Sequence, residues 1–291
     1  MRFVFYVAET AGFCWGVKRA IQGAEGKERK AGEPIYVLGQ LVYNEDAVRD
    51  LEEKHIHVVR DVEEARGKTL LITAHGKAPR EVAYAKTVAA DVLDMKCPIV
   101  QDLHEAALEL KEEGRKVILI IGPKQESHVE VLGVVGVLEG DVVLVQSPCD
   151  IEALEFHPQT MIGIVAQTTV NEFYMHELVR IIKDRFQYTK FVPTLCDDIS
   201  RKQAELRSRG KKFDMILVVG DTKSANTKEL FMIARDELKK PTLFILNEAE
   251  LKKKDIYGVR KIFVIAGALT PLRSIEGVVQ RLQEWGGVRK A

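Results

Sequence analysis

Short apolar runs rich in β-branched residues alternate along this chain with charged stretches that have helical periodicity. Near-continuous apolar runs are typical of strands in a parallel sheet that is buried on both faces. Residues 98–114 and 170–186 instead place apolar side chains at helical spacing. The alternation predicts an α/β fold with parallel sheets. The predicted strands include PIYVLG (34–39), TLLITAHG (69–76), KVILIIG (116–122), DVVLVQS (141–147), IGIVAQTT (162–169), DMILVVG (214–220), PTLFIL (241–246) and KIFVIAGA (261–268).

Three cysteines divide the chain of 291 residues into near-thirds. A chain of this length exceeds the usual size of one domain. We expect α/β lobes over residues 14–97, 98–195 and 196–291, with a strand in residues 1–13 completing the sheet of the last lobe. These boundaries predict three small α/β/α lobes around a shared centre. A single large doubly wound sheet is the alternative.

The charge balance argues against a nucleic-acid partner, because 43 Lys and Arg residues face 43 Asp and Glu residues and leave no net basic field. No apolar run approaches the ~20 residues of a membrane-spanning helix, and the N-terminus lacks the pattern of a signal peptide. We therefore expect a soluble cytoplasmic protein, in a compartment that keeps thiols reduced.

Cys14, Cys97 and Cys196 share one local pattern, in which an apolar strand leads into the cysteine and an amphipathic helix leaves it. The positive end of a helix dipole favours the thiolate form of such a cysteine. Three thiolates from three separate junctions suit an iron–sulfur cluster with one iron left open, which indicates redox chemistry. Cys149 also follows a strand but falls outside the spacings of 83 and 99 residues between the three. A small buried apolar side chain is the alternative for each cysteine.

Polar residues follow several of the predicted strands, at the end of a sheet where α/β proteins bind ligands. Hydroxyls, amides and imidazoles near helix N-termini suit an oxyanion such as phosphate. Helix capping is the alternative for each of these residues. P-loop and dinucleotide-binding motifs are absent from the sequence. The polar residues include His75, Glu126, His128, Gln167, Thr168, Thr169, Ser224, Asn226, Thr227 and Thr270.

From Phe3 to about Leu282 the chain resembles the LytB/IspH family of 4-hydroxy-3-methylbut-2-enyl diphosphate reductases. The segment AGFCWGVKRAI around Cys14 is similar to the first cysteine motif of the family. The later motifs follow in order: TAHG, DMKCP, AQTT, TLC with Gln203 seven residues beyond the cysteine, KSANT and AGALTP.

The resemblance implies a trefoil of three α/β lobes holding a [4Fe–4S] cluster through Cys14, Cys97 and Cys196. It implies that the open iron binds the C4 hydroxyl of the substrate, which two electrons and two protons expel as water. The products would be isopentenyl and dimethylallyl diphosphate, made at the last step of the methylerythritol phosphate route of isoprenoid biosynthesis. The sequence has no flavin or nicotinamide motif, so the family likeness implies ferredoxin or flavodoxin as the electron donor.

The resemblance also assigns residues to the substrate. His75, Ser224, Asn226 and Thr168 would hold the diphosphate or the reacting hydroxyl, and the chain departs from the family beside them. Tyr43 stands where the family has histidine, Ala225 replaces a serine, and Leu269 replaces the serine of AGAS. Tyr43, Thr270 and Lys124 are candidates to compensate for lost hydrogen bonds.

A further departure affects the proton supply. Where the family reads HPEVEG this chain reads ESHVEV, which we interpret as an exchange of Glu126 and His128. His128, with an unperturbed pKa of ~6.5, is then the leading proton donor and Glu126 its rival.

Three other functions are compatible with these residues. The departures favour a relative that keeps the cluster but reduces, dehydrates or desulfurises a different small molecule. The cluster ligands alone are compatible with a non-enzymatic sensor or binding protein. Without any cluster, the fold would suit a sugar- or nucleotide-binding protein.

Overall fold

The strands of the protein pair in parallel and form three separate sheets. The computed structural model describes residues 3–26, 33–41 and 51–290. The predicted α/β class with parallel sheets is confirmed. The strands are β1 Phe3–Val7, β2 Ile35–Leu38, β3 Ile56–Val59, β4 Thr69–Ile72, β5 Asp91–Asp94, β6 Lys116–Ile120, β7 Val143–Val145, β8 Met161–Ala166, β9 Tyr188–Phe191, β10 Met215–Val219, β11 Thr242–Ile245, β12 Lys261–Ala266 and β13 Gly287–Lys290.

Helices follow most of the strands, as crossover connections between parallel strands require. They are α1 Trp15–Glu25, α2 Pro79–Val88, α3 Pro98–Glu112, α4 Val129–Val137, α5 Pro148–Glu152, α6 Glu172–Arg185, α7 Asp197–Gly210, α8 Ala225–Met232 and α9 Leu272–Glu284. Short 3₁₀ turns span Val62–Ala65 and Lys253–Ile256, and a π-helical turn, Ile233–Glu237, extends α8. No helix in the described ranges combines the length and apolar character that crossing a membrane requires.

The five-stranded sheet has the order β11-β10-β12-β1-β13, so the first strand of the chain lies among the last ones. The two four-stranded sheets have the orders β3-β2-β4-β5 and β7-β6-β8-β9. In all three sheets a central strand is followed by one of the polar loops predicted from the sequence. These loops follow β12, β4 and β8.

The contacts divide the chain into two compact units. One comprises Met1–Lys18, Leu41–Lys54 and Asp197–Ala291 and contains the five-stranded sheet. The other comprises Arg19–Gln40 and His55–Cys196 and contains both four-stranded sheets. The three lobe boundaries predicted at the cysteines stay a prediction.

Burial on both faces explains why the strands read as continuous apolar runs. In β10, Leu217 and Val219 belong to one apolar cluster together with Phe5 of β1. The alternate residues Ile216 and Val218 belong to a second cluster on the opposite face. Successive side chains of a strand point to opposite faces, so helices covering both faces require apolar residues at every position.

His104 of α3 is the buried polar side chain at the contact between α3 and α4. It is 4 % exposed, and its Nε2 has no hydrogen-bond partner among the described residues. A Cβ atom added to Gly133 of α4 would lie 3.0 Å from that nitrogen, so the ring packs directly against the glycine. Burial lowers the pKa of His104 to about 4; Lys96 adds to this shift and Asp94 opposes it.

We expect the free energy of unfolding to fall as the pH drops from about 6.5 to about 4. In this range the unfolded chain binds a proton at His104 and the folded chain does not. The contribution of neutral His104 to the free energy of unfolding is therefore fully present above pH 6.5 and is lost as the pH falls towards 4. For this residue the loss in the free energy of unfolding is at most about 3 kcal/mol, at 1.36 kcal/mol for each pKa unit. Urea titrations across this pH range should show a shallower fall for His104→Leu. His176→Leu, on an exposed part of α6, is the control, and equal slopes in both variants would contradict the expectation.

Candidate active site

Cys14 lies between the loop after β1 and the first residue of α1. Its amide donates to the carbonyl of Ala268, 3.2 Å away, in the loop that follows the neighbouring strand β12. Its carbonyl accepts from the amide of Lys18 at 3.1 Å, which closes the first turn of α1. The half-buried side chain therefore stands at a helix N-terminus, where the dipole favours a thiolate.

Cys97 and Cys196 repeat this arrangement. Cys97 is the extended residue before α3, and its amide donates to the carbonyl of Ala74 at 2.9 Å in the loop after β4. Cys196 immediately precedes α7, and its amide donates to the carbonyl of Thr168 at 3.0 Å in the loop after β8. Each of the three cysteines is thus tied to the polar loop at the carboxyl end of the adjacent strand.

The cysteines are thiols, since none of the four forms a disulfide. Cys149 differs from the other three, because it is exposed and lies inside the short helix α5. Over residues 3–26, 33–41 and 51–290, no three His, Cys, Asp or Glu side chains are placed to share one metal ion. A [4Fe–4S] cluster takes one thiolate on each liganded iron, so its ligands do not share an ion. Three half-buried thiols at helix N-termini fit that ligand set.

Two imidazoles meet at the ends of β4 and β6. The rings of His75 and His128 lie edge to face with centroids 5.7 Å apart. His128 is the N-cap of α4, and its Nδ1 accepts from the amide of Glu130 at 3.3 Å and lies 3.4 Å from Gln167 Nε2. Burial lowers the pKa of His75 to about 4, so this ring is neutral at pH 7.

Glu130, in the first turn of α4, is a buried carboxylate that sequence reasoning missed. It is 2 % exposed, and it accepts from the amide of Thr168 at 2.7 Å and from the Thr168 hydroxyl at 2.9 Å. Burial raises the pKa of Glu130, while the two bonds from Thr168 partly offset that shift. The carboxyl group therefore retains a proton to a higher pH than an exposed glutamate does.

A signal for Glu130 was present in the sequence. Helix α4 reads VEVLGVVGV, so Glu130 is the one charged residue in an otherwise apolar helix. A helix that is apolar on all sides is buried, and a charge inside it needs a specific partner. The two bonds from Thr168 are that partner.

The structure brings three of the predicted residues together and separates a fourth. His75, His128 and Thr168 are joined through Gln167 and Glu130, as described above. Glu126 is exposed, and its carboxylate accepts from Gln146 Nε2 at 2.7 Å rather than from Thr168. The predicted roles of His128 and Glu126 in proton supply stay predictions, and the contacts favour Glu130 for that role.

A second group of predicted residues lies at the start of α8. Ser224 is the N-cap, and its hydroxyl oxygen accepts from the amide of Thr227 at 3.3 Å. Asn226 is 3 % exposed, and neither its amide nitrogen nor its oxygen has a hydrogen-bond partner in the part of the chain that the structure describes. The Thr227 hydroxyl is likewise buried without a partner there. Buried polar groups without partners are rare and indicate a ligand or water.

Two glycines allow this group to pack tightly. A Cβ atom on Gly267 would lie 2.0 Å from the Thr227 hydroxyl oxygen, and one on Gly220 would lie 2.6 Å from that of Thr270. Thr270 donates to the carbonyl of Val219 at 3.0 Å and is 2 % exposed. Since its proton is used in that bond, only its lone pairs are available to a ligand.

The remaining departures from the family pattern differ in what surrounds them. Ala225 and Leu269 are buried, with 9 % and 8 % exposure, so apolar side chains stand beside the polar group. Tyr43 lies outside the described residues.

A cavity of about 350 Å³ opens beside Cys14. Its lining includes Lys202 and Asp198 of α7. Lys202 is 2 % exposed, and burial lowers its pKa to about 8, with Cys14, Asp198 and Glu205 opposing the shift.

Curated relatives match nearly the whole chain. It is 34% identical over 282 residues to the 4-hydroxy-3-methylbut-2-enyl diphosphate reductase of Aquifex aeolicus (strain VF5), covering 96% of this chain and 95% of the relative. It is 34% identical over 278 residues to the protein of the same name from Dictyoglomus turgidum, covering 96% and 95%.

Solved structures agree with the sequence relatives. The E-1-hydroxy-2-methyl-but-2-enyl-4-diphosphate reductase from Plasmodium falciparum superposes with a TM-score of 0.89 at 25% identity, covering 100% of this chain and 93% of that one. An (E)-4-hydroxy-3-methyl-but-2-enyl diphosphate reductase, described as the terminal enzyme of the non-mevalonate pathway, gives a TM-score of 0.68 at 33% identity and covers 97% and 100%.

The family model described as LytB protein matches residues 5–283, a span that contains the three cysteine junctions and both groups of buried polar residues. With relatives matched over more than nine-tenths of its length, the chain belongs to the LytB family.

Proposed function

We propose that the protein removes the C4 hydroxyl of 4-hydroxy-3-methylbut-2-enyl diphosphate and releases isopentenyl and dimethylallyl diphosphate. The observation that carries this proposal is the repeated junction at Cys14, Cys97 and Cys196, where each cysteine amide donates to a polar loop at the end of a strand. The relatives with this activity in their names match over the full length and favour this substrate over another small molecule.

The proposed cofactor is a [4Fe–4S] cluster bound by Cys14, Cys97 and Cys196, with the three α/β lobes arranged as a trefoil around it. When bound, the cluster would supply the electrons and the Lewis acidity that breaking a carbon–oxygen bond requires. Removing the hydroxyl takes two electrons and two protons and releases one water. Ferredoxin or flavodoxin would deliver the electrons, and the enzyme would work in the cytoplasm, where thiols stay reduced.

Glu130 and Thr168 would supply a proton to the leaving hydroxyl. The carboxyl group of Glu130 holds its proton more tightly than an exposed glutamate, because it is buried. When it is protonated, it can donate to the Thr168 hydroxyl oxygen, which then donates its own proton outward. When it is ionised, it accepts from that hydroxyl across the same 2.9 Å.

His75 and His128 would bind the substrate through their imidazole rings. Nδ1 of His128 accepts from the amide of Glu130, so in the neutral ring the proton lies on Nε2. A neutral His128 ring can therefore donate only through Nε2. His75 stays neutral because burial disfavours its charged form, so it too can donate one hydrogen bond.

The start of α8 would bind the diphosphate. Ser224 uses an oxygen lone pair for capping, so its hydroxyl proton is available to a ligand. The buried side-chain amide of Asn226 offers two N–H donors that the described residues leave unused. Both lie at a helix N-terminus, where the dipole and exposed amides favour an anion.

The direct test of this function is an assay after anaerobic cluster reconstitution. We expect the reconstituted protein and a chemical reductant to convert the hydroxylated diphosphate into both isoprenoid diphosphates. Protein without iron and sulfide is the control. An intact cluster with no turnover of this substrate would refute the proposed reaction.

The cysteine assignment predicts different effects for four matched substitutions. Cys14→Ser, Cys97→Ser and Cys196→Ser should each lower the bound iron and sulfide, because a hydroxyl is a much weaker iron ligand than a thiolate. Cys149→Ser, at an exposed site, should retain the wild-type content. Equal loss in Cys149→Ser would contradict the ligand set.

Glu130→Gln should lower kcat roughly 100-fold or more with little change in KM, as loss of a general acid does. The amide keeps the shape of the side chain and can still accept from the amide of Thr168, but it has no acidic proton. Glu126→Gln is the matched control and should stay near the wild-type rate. Steady-state kinetics of the two variants decide between these carboxyl groups, and the opposite ranking would favour Glu126.

A further inference from the structure

One face of α7 holds the loop that leads from β1 to Cys14. Asp198, Lys202 and Glu205 have helical spacing and so share that face. Asp198 accepts from the amide of Trp15, the residue after Cys14, at 3.0 Å.

Glu205 fixes the beginning of the same loop. Its carboxylate accepts from the amides of Glu9 and Thr10 at 2.9 Å and 3.0 Å, and from the Thr10 hydroxyl at 2.8 Å. The carboxylate therefore satisfies the backbone amides of Glu9 and Thr10, which lie beyond the end of β1.

Lys202 holds the middle of the loop through carbonyl groups. Its Nζ donates to the carbonyl of Gly12 at 2.9 Å and to that of Thr10. Gly12 has a φ of 99°, a conformation that glycine adopts without strain. The lysine therefore bonds to the backbone two residues before Cys14, at the point where the chain turns toward α1.

The position of Lys202 is costly for a residue that only closes a loop. An ammonium group that is 2 % exposed has lost most of its hydration. It lines the same cavity of about 350 Å³ as Cys14. The carboxylates of Asp198 and Glu205 offset part of that cost, and an anion at the cavity, such as a thiolate or a cluster bound by it, would offset more of it.

A similar contact between a cation and backbone carbonyls precedes Cys97. Arg19 donates to the carbonyl of Met95 at 2.8 Å and to that of Lys96, the two residues that precede Cys97. Among the described residues, Lys202 and Arg19 thus both bond to carbonyls just before a cysteine, from different elements.

We propose that Lys202 is a positioning residue for Cys14, which holds the preceding loop in its ligand-binding conformation and places a fixed positive charge beside the thiolate. This role rests on the proposed function, since it requires a cluster at Cys14. Two effects follow from it. The hydrogen bonds should stabilise the bound cluster, and the charge should favour its reduced form, because reduction adds negative charge.

The test compares Lys202→Met, Lys202→Arg and Lys211→Met with wild type after anaerobic reconstitution. Lys211 is exposed just beyond the end of α7, so it controls for loss of a positive charge. The readouts are extraction of the cluster by an iron chelator and the midpoint potential of the cluster. For Lys202→Met we expect a loss of roughly 10–100-fold in cluster affinity, the usual size for outer-shell partners, and a more negative potential.

Lys202→Arg should restore both readouts towards wild type, because a guanidinium also donates to carbonyls and carries the charge. Wild-type behaviour of Lys202→Met, or no restoration by Lys202→Arg, would overturn the inference. If thermal unfolding shows that Lys202→Met does not fold, Lys202→Gln replaces it in the test. Loss of the fold in both variants would also overturn the inference, because it would show that Lys202 is needed for folding itself. A wild-type protein that binds no cluster would refute the proposed function itself, whereas the other outcomes leave that function intact.

Discussion

The hydrogen bond from a cysteine amide to the loop of a neighbouring parallel strand fixes most of what this protein can do. In parallel pairs the carboxyl ends of both strands reach the same edge, so a residue leaving one strand meets the loop leaving the next. Cys14, Cys97 and Cys196 all use this bond. Their partners lie in the loops AGALTP, TAHG and AQTT, which carry Thr270, His75 and Thr168. The thiols and the candidate substrate residues are therefore placed by the same strand pairings.

Buried ionisable residues indicate the parts of the structure that serve more than folding. Glu130 on α4 and Lys202 on α7 are each 2 % exposed, and each faces polar atoms of a loop at the end of a strand. Burying an ionised group costs several kcal/mol unless hydrogen bonds and opposite charge offset it. Both also contribute to the fold, because removing either side chain would leave its loop partners buried and unpaired. Glu130 and Lys202 thus combine a structural contact with a group that can hold a proton in one case and face an anion in the other.

Local patterns in the sequence predicted the parallel strands and the helix after each cysteine, because burial on both faces and strand-to-helix junctions leave local signals. Glu130, the partner of Thr168, has a weaker signal in the sequence. From ESHVEV we assigned His128 as the leading proton donor and Glu126 as its rival, whereas the structure buries Glu130 and leaves Glu126 exposed against Gln146. Which of two nearby carboxylates is buried depends on the face that α4 turns to its neighbours, and that is a tertiary property. The same holds for Lys202, whose role depends on a loop nearly two hundred residues earlier in the chain.

The apolar departures at Ala225, the first residue of α8, and at Leu269, in the loop after β12, alter what the polar residues beside them can bind. Ala225 and Leu269 are buried, so exchanging hydroxyls for apolar side chains at these positions removes groups that would need partners in the folded protein. What is lost is hydrogen bonding to a ligand, at about 1.5–3 kcal/mol for each bond to a charged group. Asn226 opposes that loss, since its buried amide has no partner among the described residues and must find one in water or ligand. A site that keeps a buried amide without a partner among the described residues, while it has fewer hydroxyls, would make fewer contacts to a ligand and depend more on each one.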